Sequence, residues 1–206
     1  MIVWTIQADY VWDMLQRDGI LYGPEIVDEH ILWRTAYDWM VEQMERRIGP
    51  RPKPGTYPLW AWYQWDGDSR RKPDLRSSLH VPGGTRAVRI EFEIADDQIL
   101  LSDFGAWHTP LNYCYLALHE MEDEAFEAEL AQHGLTWKPG ELLSDPRYHA
   151  KILKSWEHIF DIEQVDPDRW WTEPTKAEKD IQGTFWSLAL AQVRKATPFI
   201  GRGRQL

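Results

Sequence analysis

A single cysteine, Cys114, leaves this 206-residue chain without an internal disulfide framework and without any CxxC metal site. Flanked by Tyr113, Tyr115 and Leu116, that cysteine reads as a buried, inert thiol. No apolar run approaches the length of a membrane span, and the N-terminus lacks the basic start and apolar stretch of a signal peptide. These absences predict a cytoplasmic protein with no membrane partner. The motifs GxGxxG, GxxxxGKS/T and GxSxG are missing, so dinucleotide-fold, P-loop and nucleophile-elbow chemistries have no support. His119-Glu120 is not followed by the histidine that a helical HExxH zinc site needs, and no metal is expected. A formal charge of −10 argues against a protein that coats a nucleic-acid backbone, because such binding relies on net neutralisation of phosphates.

What the chain does have is tryptophan, 13 in all, and four of these crowd into two short stretches. The first runs Tyr57-Pro58-Leu59-Trp60-Ala61-Trp62-Tyr63-Gln64-Trp65 and leads directly into the basic segment Arg70-Arg71-Lys72-Pro73-Asp74-Leu75-Arg76. The second is Leu101-Ser102-Asp103-Phe104-Gly105-Ala106-Trp107-His108, followed by Asn112-Tyr113. As a strand, the first stretch puts Leu59, Ala61, Tyr63 and Trp65 on one face and Trp60, Trp62 and Gln64 on the other. Large rings on both faces imply a strand covered on both sides, or one face that serves as a floor for a flat ligand.

Length and patterning predict one α+β domain over residues 1–206, with a mixed, mostly antiparallel sheet and flanking helices. Residues 2–6 form a β-branched opening strand, residues 8–17 a helix closed by Gly19, and residues 32–48 the clearest helix. Residues 87–94 alternate apolar and charged for their full length, one face buried and the other wet or paired. With the turn at residues 95–97 and a return strand at 98–101, they read as a β-hairpin. Residues 111–132 are helical, in one piece or two, residues 148–160 form another helix, and residues 184–190 a late strand. A turn or short helix at 191–196, a last extended piece at 197–200 and a basic, glycine-rich tail complete the chain.

Several residues could carry chemistry. His108, in a loop after Asp103, has the makings of a general base or a ligand-orienting group. Glu91 and Glu93 share a strand face but lie closer together than a glycosidase pair needs. Arg71 and Arg76 could hold a phosphate above a base stacked on Trp62, Tyr63 or Trp65, a combination that suits a nucleotide better than a neutral sugar. The plainer reading of that basic run is a solvated loop.

The strings Trp4-Thr5-Ile6-Gln7, Ala36-Tyr37-Asp38-Trp39-Met40, Tyr57-Pro58 through Trp65, Lys72-Pro73-Asp74-Leu75-Arg76, Leu101-Ser102-Asp103-Phe104 and Phe185-Trp186 resemble an uncharacterised bacterial family, a domain of unknown function (DUF3841). That family brings no activity with it. At the level of topology, the order of Thr5 and Gln7, then Gly19, then residues 88–103 and 182–199 resembles the ADP-ribosyltransferase superfamily. This second resemblance implies NAD as cofactor or substrate, Thr5 and Gln7 against the ligand backbone, and Asp103, His108 or Gln182 at the reacting centre. Trp107 and Asn112 join the ligand-binding candidates. The chain departs from the superfamily where a catalytic glutamate is expected and Gln182 stands instead; an amide can bond a hydroxyl but supplies no charge to an oxocarbenium-like state. Two expectations follow. One is an NAD-using, ADP-ribosyltransferase-like enzyme with an aromatic, arginine-lined cleft. The other is a non-catalytic module that stacks nucleotides, single-stranded nucleic acid or a partner peptide on its tryptophans.

Overall fold

Alternation in the sequence is the origin of the sheet at the centre of the molecule. A computed structural model describes residues 1–24, 31–138, 141–165, 168 and 173–202; the end of the basic tail, residues 203–206, lies outside the described residues. Strand β1 (Ile2–Ala8) is followed by α1 (Asp9–Asp18), which ends where Gly19 takes a φ of 75° and its N–H reaches the Leu15 carbonyl at 2.9 Å. A short β2 (Ile20–Tyr22) precedes α2 (Ile31–Arg47), and the tryptophan stretch forms β3 (Leu59–Gln64). Then come β4 (Arg86–Glu93), β5 (Leu100–Asp103), α3 (Phe104–Leu111), α4 (Glu120–Gln132), α5 (Pro146–Ser155), β6 (Ile181–Phe185), β7 (Ser187–Ala189) and β8 (Val193–Ile200). Six strands make one antiparallel sheet in the order β5-β6-β3-β1-β4-β8, and β2 pairs with β7 in a second, small sheet. The fold is α+β, as the patterning predicts.

Each face of the large sheet has its own core. On one face Val3, Leu59, Ala61, Val88, Ile90, Phe92 and Phe185 pack with Leu15 of α1 and Leu188 of β7. The alternation of β4 is realised in full, since Val88, Ile90 and Phe92 are completely buried and each contributes about 1.5–3 kcal/mol of transfer free energy. Its charged face is paired rather than wet: the Trp4 indole N–H and the Lys72 ammonium reach Glu91 at 2.8 and 3.5 Å, and Arg89 donates to the Pro73 carbonyl at 2.6 Å. On that second face, α2, α3 and α5 cover the β5-β6-β3 half through a core built around Trp39, Met40, Trp107 and Trp156. Segment 65–85 lies over the β1-β4-β8 half, tied down by the Lys72 and Arg89 contacts.

Three sequence expectations are corrected. Strands β4 and β5 do not form a hairpin: β5 crosses to the far edge and pairs with β6, while β4 sits between β1 and β8. Residues 104–111 are helical, because the Asp103 carboxylate caps the Ala106 N–H at 3.0 Å, and the predicted 111–132 helix begins only at Glu120. Asn112 closes the capped helix and Tyr113 takes a φ of 53°, which breaks helical continuity. Finally, residues 193–200 form one continuous edge strand, paired along β4.

Candidate functional site

A bulge in β3 gathers the aromatic wall. Trp60 and Trp62 face Thr184 and Gln182 of β6, but the next pair in register is Gln64 with Ile181, so Tyr63 is the extra residue. An extra residue reverses the side-chain alternation beyond it. Trp65 therefore joins Trp62, at 4.6 Å between ring centroids, instead of sharing a face with Tyr63 as strict alternation predicts. Phe104, at the start of α3, meets Trp62 edge-on at 4.8 Å, and the His80 ring lies 4.5 Å from Trp65. Trp60 is braced from behind by Tyr37 and Trp107, at 6.2 and 5.1 Å.

The wall borders the seam between β1 and β3. Trp4 and Trp62 are the one ladder pair between these strands, and residues 5–7 and 59–61 add none. A cavity of 530 Å³ lies along this seam, lined by Thr5, Gln7, Trp60, Trp62, Trp65, His80, Phe104 and Gln182 among others. The Gln7 amide donates to the Thr5 hydroxyl at 2.7 Å, and Gln182 stands across from Trp62 on β6. Burial holds the His80 imidazole below its ordinary range; an acceptor contact from the Asp74 carbonyl opposes this and nearby Arg89 adds to it. The site thus offers flat rings together with amide and hydroxyl groups. Among the described lining residues there is no carboxylate and no arginine.

Of the candidate residues, Thr5, Gln7, Trp62, Trp65 and Gln182 come together in this cavity. The others lie elsewhere. Tyr63 projects to the opposite face, where the Arg71 guanidinium stacks 4.1 Å over its ring and Arg71 Nε donates to its carbonyl at 3.2 Å. Arg76 is engaged with Asp74 by Nη2 at 2.6 Å, and that contact holds the Asp74 carboxyl well below the usual carboxylate range. Asp103 is a buried helix cap, and Trp107 is part of the core. His108 belongs to a helix rather than a loop; its Nδ1 lies 3.0 Å from the Phe104 carbonyl. Asn112 closes the same helix by donating to the His108 carbonyl at 2.7 Å. His108 and Asn112 border a separate cavity of 370 Å³ beside Cys114, whose thiol burial pushes upward.

Sequence reasoning passed over Tyr37, His80 and Phe104. A signal existed for Phe104, since Ser102-Asp103 before an apolar stretch is a helix start that fixes the following ring. His80 left none, because loop segment 65–85 folds back over the sheet without local periodicity. Asp180, two residues before Gln182, was also not singled out. Its carboxyl is pushed up to about 6, first by burial and then by Asp66, against a hydrogen bond from the Gly67 N–H; Asp103 and Glu173 add to the rise.

Because the folded state holds that proton more tightly than an ordinary value of 3.8, stability falls as pH rises from about 4 to about 6. Asp180→Asn keeps an acceptor for Gly67 and removes the charge. Allowing for solvent screening at this half-buried position, we expect it to stabilise the protein by about 1 kcal/mol at neutral pH and by nothing near pH 3. Urea unfolding at the two pH values measures this; equal midpoints at neutral pH would refute it.

Comparison with known proteins adds a family and nothing finer. No curated protein and no solved structure matches the chain, so the likeness to ADP-ribosyltransferases has no support from that side. No described helix is long and apolar enough to cross a membrane. The family model described as "Domain of unknown function (DUF3841)" matches residues 2–194, nearly the whole length, and the chain belongs to that family.

Proposed function

We propose that the cavity between β1 and β3 binds a nucleotide of the NAD type, with a ring of the ligand stacked on Trp62. One observation carries the reading: three indoles, two glutamines and a threonine converge on one cavity where the β1–β3 ladder stops. Stacking on an indole is indifferent to which base or pyridine ring is offered, whereas amides and unpaired strand edges select rings with donor and acceptor edges. A cavity of 530 Å³ falls within the range that encloses a small ligand. ADP-ribosyl transfer is the enzymatic form of this proposal. The order of elements supports it: β1 carries Thr5 and Gln7, α1 stops at Gly19, and β6 opens beside Gln182.

A second reading, a non-catalytic module that stacks a nucleotide, single-stranded nucleic acid or a partner peptide, is favoured by a different observation. The described lining residues include no carboxylate, and Gln182 carries no charge, so nothing there balances an oxocarbenium-like centre.

Titration of the intrinsic tryptophan fluorescence with NAD, ADP-ribose, mononucleotides and oligonucleotides tests both. Quenching by NAD is expected, with Trp62→Ala weakening affinity about tenfold, the size of one lost stacking contact. Nicotinamide release during the titration identifies the enzyme, and quenching without release the module. An unresponsive protein rules out the nucleotide reading.

A further inference from the structure

The seam between β1 and β3 is bordered by two cavities. On the α1 face lies a second cavity, of 620 Å³, which shares Gln7, Pro24 and Leu59 with the ring-lined one. The two spaces therefore adjoin at Gln7.

The second cavity contains what the first lacks. Lys53-Pro54-Gly55-Thr56 is a tight turn in which the Thr56 N–H donates to the Lys53 carbonyl at 3.3 Å and Gly55 adopts a φ of 76°. Proline at the second position and a left-handed glycine at the third suit a type II turn, which brings the first and fourth residues side by side. Thr56 is 1% exposed, yet its hydroxyl has no hydrogen-bond partner. A buried hydroxyl without a partner loses its hydration with nothing in exchange, a state that ligand binding would relieve. Beside it, the Lys53 ammonium rests 4.1 Å over the Tyr22 ring, and no carboxylate among the described residues lies within ion-pair reach of it. Asp18, the acid on this cavity's rim, is neutralised by Arg17 through two contacts of 2.7 Å. A cation without a carboxylate partner beside a hydroxyl without a hydrogen-bond partner is the chemistry that holds a phosphate.

We infer that Lys53 and Thr56 form an anion subsite for the phosphate of a nucleotide whose ring stacks on Trp62, the ligand reaching from one cavity into the other past Gln7. The inference rests on the nucleotide reading of the first cavity. It places the phosphate contact at Lys53 and Thr56 instead of Arg71 and Arg76, which stack on Tyr63 and pair with Asp74.

Paired ligands with and without phosphate separate the two claims: AMP against adenosine, and nicotinamide mononucleotide against its riboside, titrated into the full chain. The phosphorylated member is expected to bind about tenfold more tightly, as for a charge-assisted contact. Lys53→Met should abolish that difference while leaving nucleoside affinity intact, Thr56→Val should reduce it, and Lys53→Arg should restore it. Trp62→Ala should weaken both members equally. If nucleosides and nucleotides bind alike, or the preference survives Lys53→Met, the subsite is overturned and the ring site stands. If neither class binds, both readings fall.

Discussion

Trp156→Ala is expected to leave little folded protein, with a loss of about 5 kcal/mol out of a total that for domains of this kind is about 5–15 kcal/mol. The indole is fully buried and meets Trp39 at 5.4 Å and Tyr113 at 6.0 Å, both edge-on. Its Nε1 donates to the Cys114 carbonyl at 2.7 Å. Alanine would remove the apolar contact, open a cavity too rigidly walled to collapse, and leave that carbonyl without its indole donor. Trp156→Phe keeps an edge-on ring and loses only the hydrogen bond and part of the volume, so about half the destabilisation is expected. Chemical unfolding of both variants measures the difference. Since Trp156 lies in the helical core and does not line the ring cavity, the phenylalanine variant should also retain ligand quenching at the Trp62 site. Near wild-type stability for Trp156→Ala would mean that the helical core does not depend on this ring.

The second large effect concerns Gly23. A Cβ at this position would lie 1.7 Å from the Tyr57 carbonyl oxygen and 2.7 Å from its carbon. Both obstacles are main chain, so no rotamer change relieves them. Tyr57 is further held by its phenol, which donates to Asp38 at 2.5 Å. Gly23→Ala must therefore push apart two backbone segments at the mouth of the cavity, at a cost of about 3 kcal/mol, the upper end for overpacking. Tyr57 and Pro58 line the ring cavity, so the same displacement should weaken any ligand bound there. Gly19→Ala is a useful contrast: it has open space around its Cβ but a φ of 75°, and strain at one left-handed residue costs about 1 kcal/mol. Equal unfolding midpoints for the two alanine variants would refute the steric account.

How the site was read from the sequence follows from the range of the forces involved. The alternation of residues 87–94 and the three- and four-residue steps of residues 32–48 report burial directly, because each side chain's face is set by its own backbone period. The aromatic density of residues 57–65 marks the strand that lines the ring cavity for the same reason. The arginines lie away from that cavity because a cation near an aromatic run in sequence takes whichever partner is nearest in space. Arg71 found Tyr63 on the far face, and Arg76 found Asp74 two residues away. Lys53, which rests over Tyr22 with no carboxylate among the described residues in ion-pair reach, drew no attention as one residue of a proline-rich connector.

By itself, then, the sequence determined the α+β class, the stop of α1 at Gly19, the buried face of β4 and the family to which the chain belongs. Those features are local or repeat along the chain. Only the tertiary structure decided that β5 leaves β4 for β6, that Tyr63 bulges and turns Trp65 toward Trp62, and that β1 and β3 share a single ladder pair. Strand partners are chosen by the burial of whole faces against α1 and α2, and that choice depends on contacts between residues more than a hundred positions apart, which no local period encodes.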